Sequence, residues 1–320
     1  MIQRRGRAAA TLLISLALVG CDRSHRKVIA VVPKATSHTF WVSVEAGARA
    51  AARDLRVEIL WNGPAQETEY DRQIQIVDSM VARHVDGLAV AATERQALVG
   101  PVERAIGQGI PVTIFDSGLD TEKYMTFLAT NNYEAGQMAA RELARLMNSR
   151  GKAAIIMNAP GSASTMDRER GFEDVMAKEY PRIHIVARQF GLSNRAKARD
   201  AAENILTANP DLDGLFASTD PSAAGASLAV KSRGLAGKVK VVAFDASDSL
   251  VADLRAGAIQ AMVVQDPYRM GYEAVHTLVE KLGGKQPPKH IDLSARVVNR
   301  GDLDKPEIRA LLFPDLKKSL

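Results

Sequence analysis

From residue 28 onward the chain alternates short apolar runs with longer stretches in which apolar residues recur every three or four positions. Val28-Ile29-Ala30-Val31-Val32 is the first such run. It has strand length and is apolar at every position, as a central parallel strand buried on both faces requires. Behind it Phe40, Val44, Ala48, Ala51 and Leu55 fall on one helical face, with Ser37 or Thr39 placed to cap the helix start. Further strands are predicted at Val57–Trp61, Gly87–Val90, Val112–Phe115, Ala153–Met157, Ile183–Ala187, Gly214–Ala217, Val239–Phe244 and Gln260–Val264, with helices in most intervals. Such alternation specifies an α/β protein with parallel sheets.

The pattern also repeats. Val85-Asp86-Gly87-Leu88-Ala89 returns 127 residues later as Leu212-Asp213-Gly214-Leu215-Phe216, and Val112-Thr113-Ile114-Phe115-Asp116 returns 129 later as Val241-Val242-Ala243-Phe244-Asp245. Two lobes of one topology follow. Ligands of open α/β sheets bind beyond the carboxyl ends of the strands, so Asp116 and Asp245 are expected on equivalent rims. If the lobes face each other, both carboxylates line one cleft.

Composition agrees with two globular lobes. The chain has 320 residues, is 46% hydrophobic and 25% charged, and carries one cysteine, which excludes a disulfide scaffold, a disordered chain and a low-complexity one. That cysteine, Cys21, closes the run Leu18-Val19-Gly20-Cys21 behind Arg4, Arg5, Arg7 and an apolar stretch from Ala8 to Val19. The stretch falls short of the roughly 20 residues that span a bilayer and has the flanks of a signal peptide. Its end resembles the lipobox of bacterial lipoproteins, whose cysteine is acylated and becomes the first mature residue. Asp22 resembles the inner-membrane retention signal of some of them. A plain secretory signal, with Cys21 incidental, is the alternative. Removing residues 1–20 takes away three arginines and no acid, lowering the net charge from +5 to +2. No clustered basic stripe suggests a nucleic-acid partner.

Several enzyme classes lack their motifs. The first strand runs into Pro33-Lys34-Ala35-Thr36-Ser37-His38, with no glycine-rich loop for a dinucleotide pyrophosphate, and no P-loop follows elsewhere. His25, His38, His84, His184, His276 and His290 show no zinc-ligand spacing. Gly161-Ser162-Ala163-Ser164 lacks the second glycine of a hydrolase elbow. Asp116 and Asp245 could form a glycosidase pair, but opposing lobes on a hinge hold such a pair poorly. The expectation is a binding protein, not an enzyme, with no metal and no cofactor.

From Val28 to about Val298 the chain resembles the type I periplasmic binding proteins, in the ribose-binding branch that serves ABC transporters. The resemblance rests on Ser37-His38-Thr39-Phe40-Trp41, Ile110-Pro111-Val112 through Asp116, Thr130-Asn131-Asn132, Arg168-Glu169-Arg170-Gly171-Phe172, Ala217-Ser218-Thr219-Asp220, Phe244-Asp245 and Gln265-Asp266-Pro267. It implies two Rossmann-like lobes joined by a three-crossover hinge, near Thr130-Asn131, Gln265-Asp266 and Leu293-Ser294. The implied divisions are a signal peptide at 1–20, a tether at 21–27, an N-terminal lobe of 28–130 plus 266–293, and a C-terminal lobe of 131–265 plus 294–320.

The resemblance also implies a ligand site. Phe40 and Trp41 would sandwich a sugar ring, whose C–H faces suit a π surface. A core position for Phe40 is the alternative, although two adjacent aromatics cannot both face the core of a one-sided helix. Asp116 and Asp245 would accept hydrogen bonds from hydroxyls, Arg168 would donate with its planar fork, and Gln265 would do both. His38, Ser117, Ser193 and Thr219 complete the implied contacts. They are also departures: the ribose pattern has asparagine, arginine, a third aromatic and asparagine at those four places. Trp61 is expected either at the cleft or as a surface packing residue. The implied partners are a monosaccharide or similar polyol, an ABC permease and, through Cys21, the membrane, with the protein a monomer outside the cytoplasm. A sensory role, with the closed form docking on a chemoreceptor or histidine kinase, is the alternative. The lactose-repressor family shares the fold, but residues 1–27 read as signal and tether rather than a helix-turn-helix.

Overall fold

A computed structural model describes residues 26–314; the signal segment and Cys21 lie outside them. The strands are β1 (Val28–Val32), β2 (Glu58–Trp61), β3 (Gly87–Val90), β4 (Val112–Phe115), β5 (Thr126–Thr130), β6 (Gly151–Met157), β7 (Ile183–Phe190), β8 (Gly214–Ala217), β9 (Lys240–Phe244), β10 (Ala261–Val264), β11 (His290–Leu293) and β12 (Arg296–Asn299). The helices are α1 (Thr39–Leu55), α2 (Tyr70–Ala82), α3 (Val99–Gly107), α4 (Asn132–Leu146), α5 (Ala163–Glu179), α6 (Arg195–Ala208), α7 (Asp220–Ser232), α8 (Asp248–Ala256), α9 (Pro267–Leu282) and α10 (Pro306–Leu312).

These strands form two six-stranded sheets, ordered β11-β5-β4-β3-β1-β2 and β12-β10-β9-β8-β6-β7. All pairings are parallel except β10 with β12. The two orders match strand for strand, so the sequence repeat is a repeat of topology. The chain passes from the first sheet to the second between β5 and α4, returns between β10 and α9, and crosses again between β11 and β12.

Central strands are apolar because both faces are covered. In the first lobe Ala30, Val32, Leu88, Val90 and Ile114 pack to one side, while Ile29, Val31, Ala89 and Phe115 pack to the other. The second lobe has the same two layers. The edge strand β7 instead alternates in burial along most of its length, and its exposed positions kept the apolar reading short of its true end at Phe190. The edge strands β11 and β12 carry too little apolar pattern to be predicted, and in β5, internal to its sheet, the flanking threonines cut the apolar run to three residues.

The register of the repeat is fixed by matching hydrogen bonds. Asp86 Oδ2 accepts from the backbone N–H of Val28, and Asp213 Oδ2 accepts from that of Lys152, each at 2.8 Å. Val28 therefore corresponds to Lys152 and, counting along, Lys34 to Asn158 and Val44 to Arg168. The helix crossings obey the same register. A Cβ added at Gly136 of α4 would lie 1.9 Å from the Arg168 carbonyl oxygen on α5, and one at Gly271 of α9 would lie 1.9 Å from that of Val44 on α1. Backbone meets backbone at both crossings, so only glycine fits.

One local expectation fails. The N-cap of α1 is His38, without a side-chain capping bond. Ser37 is turned away, its Oγ donating to the Ala65 carbonyl.

Candidate functional site

The carboxyl ends of both sheets border a narrow cavity between the lobes. The first lobe contributes Lys34, His38, Phe40, Trp41, Glu67 and Asp116. The second contributes Ser164, Thr165, Arg168, Thr219, Asp220, Pro221 and Asp245, with Gln265 at a crossing point.

Asp116 and Asp245 each follow the last residue of a central strand, and both have left-handed backbones, with φ of 59° and 66°. Each is held there by the next strand: the Asp116 N–H donates to Leu128 O at 2.9 Å and that of Asp245 to Val263 O at 2.8 Å. Left-handed non-glycine residues cost on the order of 1–3 kcal/mol and persist where the surroundings enforce them, often at ligand sites. Here the conformation recurs at the two matched positions. Burial raises both carboxyl pKa values, that of Asp245 to about 6 against the pull of Arg168 and a hydrogen bond from Gln265.

Arg168 is buried on α5, where the close crossing at Gly136 sets its backbone. Its Nη1 donates to the Ser218 carbonyl and its Nη2 to Asn132 Oδ1 at 2.8 Å, and the guanidinium lies 3.4 Å from the centre of the Phe244 ring. Burial pulls its pKa down, opposed first by Asp245 and then by Asp116; a guanidinium stays charged even so. Gln265 donates through Nε2 to Asp245 Oδ1 at 2.7 Å. Arg168 Nε and Gln265 Oε1 are buried without a partner. The wall thus carries an unused donor and an unused acceptor, and buried polar atoms of that kind are normally satisfied.

Phe40 and Trp41 both border the cavity, and both also pack against the first lobe's core. Trp41 is buried, with its ring edge-on to Phe115, and its Nε1 donates to Glu67 Oε1 at 3.0 Å. The Phe40 and Trp41 rings stand at 87° with centres 4.9 Å apart. They therefore form a corner of the cavity rather than two parallel plates.

The remaining predicted residues are dispersed. His38 borders the cavity, its Nδ1 3.8 Å from Glu67. Burial works against its charge, but Glu67, Asp220 and Asp245 together raise its pKa. Thr219 lies in the wall and caps α7, its Oγ1 accepting from the Ser222 N–H. Ser117 lies behind the wall, fully buried, its Oγ accepting from the Ser164 N–H of the other lobe at 3.3 Å. Ser193 borders a neighbouring groove instead. Trp61 is half-buried and packs on the first lobe's core.

Sequence reasoning missed Lys34, Glu67 and Asp220. Lys34 Nζ donates to Ser162 Oγ and Ser164 Oγ, each at 3.0 Å, and lies 3.2 Å from Asp116 Oδ2. Despite that ion pair the Asp116 pKa stays raised, because burial and the nearby Glu67 outweigh the lysine. Glu67 accepts from Trp41 and, at 3.1 Å, from Asn158 Nδ2 of the second lobe. Burial alone would raise its pKa; Lys34 and then His38 overcome that and hold it at about 2. Lys34 and Asn158 are counterparts in the repeat, and each bonds across to the other lobe. Among the described residues no cluster of three metal-ligating side chains occurs, and no helix is long and apolar enough to cross a membrane.

This arrangement can hold a small, hydroxyl-rich molecule between charged acceptors, a forked donor and an aromatic corner. Comparison with known proteins agrees. Residues 29–286 match the family described as a periplasmic binding protein domain. The D-ribose/D-allose-binding protein of Pseudomonas aeruginosa is 29% identical over 290 residues, covering 88% of this chain and 90% of that one. A carbohydrate transporter solute-binding protein from Agrobacterium radiobacter, solved in complex with D-arabinose, is 34% identical with a TM-score of 0.87, covering 90% of this chain and 99% of its own. An ABC transporter solute-binding protein from Agrobacterium vitis with bound D-fucose is 35% identical with a TM-score of 0.87, covering 89% and 100%. Matched in fold and along most of its length, the chain belongs to the periplasmic binding protein family and is a binding protein, not an enzyme.

Proposed function

We propose that this protein is an extracytoplasmic lipoprotein that captures a monosaccharide in the interlobe cavity and, as a monomer, delivers it to an ABC permease. The observation that carries the reading is the cavity wall: Asp116 and Asp245 at matched strand ends, Arg168 interacting with both, and unpartnered polar atoms on Arg168 and Gln265. A neutral polyol supplies hydroxyls to each carboxylate and an oxygen to Arg168, while Phe40 and Trp41 cover an apolar C–H face. Relatives named for D-ribose and D-allose, and neighbours solved with D-arabinose and D-fucose, support the same ligand class.

Titration calorimetry of the mature protein against a monosaccharide panel tests this directly. At least one sugar is expected to bind, and Asp245→Ala to weaken it by about 1.5–3 kcal/mol or more, as for a lost hydrogen bond to a charged group. Unchanged affinity in that variant overturns the assignment. Anchoring is tested separately: Cys21→Ser should abolish labelled-palmitate incorporation and release the protein from the membrane fraction.

A further inference from the structure

The cavity wall is short of positive charge. Glu67, Asp116, Asp220 and Asp245 border it, against Lys34, Arg168 and the titratable His38. It therefore lacks two positive charges with His38 neutral and one with His38 protonated. Two of the three basic groups are committed to the first lobe's acids: Lys34 Nζ lies 3.2 Å from Asp116 Oδ2, and His38 Nδ1 lies 3.8 Å from Glu67 Oε1. Arg168 spends its terminal nitrogens on Ser218 O and Asn132 Oδ1. Asp220 and Asp245, on the second lobe, form no ion pair among the described residues. Each takes a neutral hydrogen bond instead, from Ser247 Oγ and Gln265 Nε2 respectively, both at 2.7 Å.

The protonation of these groups follows their partners. Glu67 and Asp245 are both buried, and burial raises a carboxyl pKa. Lys34 and His38 bring Glu67 back down to about 2, whereas Asp245 stays up at about 6 and burial keeps Asp220 raised as well. Asp220 itself adds to the rise at Asp245, so the two carboxylates are near neighbours. The wall beside them also has an acceptor to spare: Gln265, 2% exposed, gives Nε2 to Asp245 and leaves Oε1 without a partner. Buried charges are normally paired or bind a metal, and among the described residues no group of three metal-ligating side chains includes these two. Both carboxylates belong to the second lobe, so the charge they present does not depend on how far the lobes have closed on the narrow space between them.

We propose that the ligand is an amino sugar, its ammonium held between Asp220 and Asp245 and its hydroxyls left for the other polar groups of the wall. This inference rests on the sugar-binding reading above and names the substrate class within it. A hydroxyl donates one hydrogen bond to a carboxylate; an ammonium donates up to three and supplies the missing charge.

Calorimetry at neutral pH compares D-glucosamine, D-galactosamine, D-mannosamine and 6-amino-6-deoxy-D-glucose with D-glucose, D-galactose and D-mannose, and with the N-acetyl forms, which keep the nitrogen and lose its charge. At least one amino sugar is expected to bind tenfold or more tighter than both its neutral parent and its N-acetyl form. Asp220→Asn keeps the acceptor for Ser247 and removes the charge, so it should cut the ratio of amino-sugar to parent-sugar affinity several-fold; Asp245→Asn, made in parallel, should do the same. A purely structural loss would weaken both ligands alike and leave the ratio unmoved. Neutral-sugar binding with no tighter amino sugar overturns the inference and leaves the sugar reading standing. So does a gain that the N-acetyl form shares, or one that both variants leave intact. No binding of any sugar overturns both.

Discussion

Asp245 is 8% exposed, and burial raises its pKa to about 6, so its charge changes close to neutrality. As an acceptor-only group above that pH it can take two or more hydroxyl hydrogen bonds; once protonated it donates one and loses its charge. Ligand affinity should therefore fall as pH drops through about 6, and Asp245→Asn should flatten the profile there. Calorimetry between pH 5 and 8 checks this, and a pH-independent affinity in the parent protein would refute it. The unliganded fold responds with the opposite sign. A carboxyl pKa raised by folding gives a stabilising contribution, present in full below about pH 4 and lost as pH rises through 6, worth on the order of 3 kcal/mol. Glu67, held at about 2, contributes stability above pH 4.5 that is lost as pH falls through 2. The aspartate pair was legible in the sequence because it recurs inside a repeated motif. Lys34 and Glu67 were not: one lies in a polar loop after β1, the other in a polar loop before α2, and the Lys34 bonds to Ser162 and Ser164 span 128 and 130 residues. The strand-end rule applied to β6, as it was applied to β4 and β9, picks out Asn158; on β1 it picks out Pro33, one residue short of Lys34.

At the scale of elements, most strands buried on both faces were readable from apolar runs, since few polar groups survive between two covered faces; Thr113 of β4 does so by hydrogen-bonding with Thr277. Edge strands such as β11, paired on one side only and largely exposed, leave no such trace. The helix crossings were invisible for a different reason: a glycine in a helix reads as a mild propensity defect until the opposing backbone is known. At Gly136 that backbone is Arg168 itself, so the crossing sets both the packing of the second lobe and the placement of a cavity side chain. Gly136→Ala would push a Cβ to 1.9 Å from the Arg168 carbonyl oxygen. The helices must separate, at a cost of roughly 1–3 kcal/mol by analogy with overpacked cores, and Arg168 must shift with α5. Both a lower denaturation midpoint and weaker ligand binding are expected, and a variant with the parent's midpoint would show that α4 and α5 do not depend on this contact.

Across the whole molecule, the repeat places two polar side chains from matched positions across the lobe boundary: Lys34 reaches Ser162 and Ser164, and Asn158 reaches Glu67. Backbone contacts join them, with the Arg95 N–H donating to Gly161 O at 3.0 Å, and so does Tyr70 Oη, donating to Pro160 O at 3.3 Å. These bonds exist only when the lobes meet, so on the proposed reading, in which the lobes open to admit a ligand, they favour the closed form independently of ligand. Apparent affinity scales with the population of the binding-competent form, and weakening the latch should therefore weaken binding. Ser162→Ala/Ser164→Ala removes both hydroxyl acceptors of Lys34 while keeping its ion pair with Asp116 at 3.2 Å. In the closed form the ammonium is then buried with one partner instead of three, whereas opening returns it to water, a difference on the order of 1–3 kcal/mol. The double variant is expected to show a larger radius of gyration than the parent without ligand, by small-angle scattering, and the same radius at saturating ligand. Its affinity should be roughly tenfold weaker, following the same free-energy difference. Equal radii without ligand together with equal affinities would mean that the lysine latch does not set the balance between the two forms.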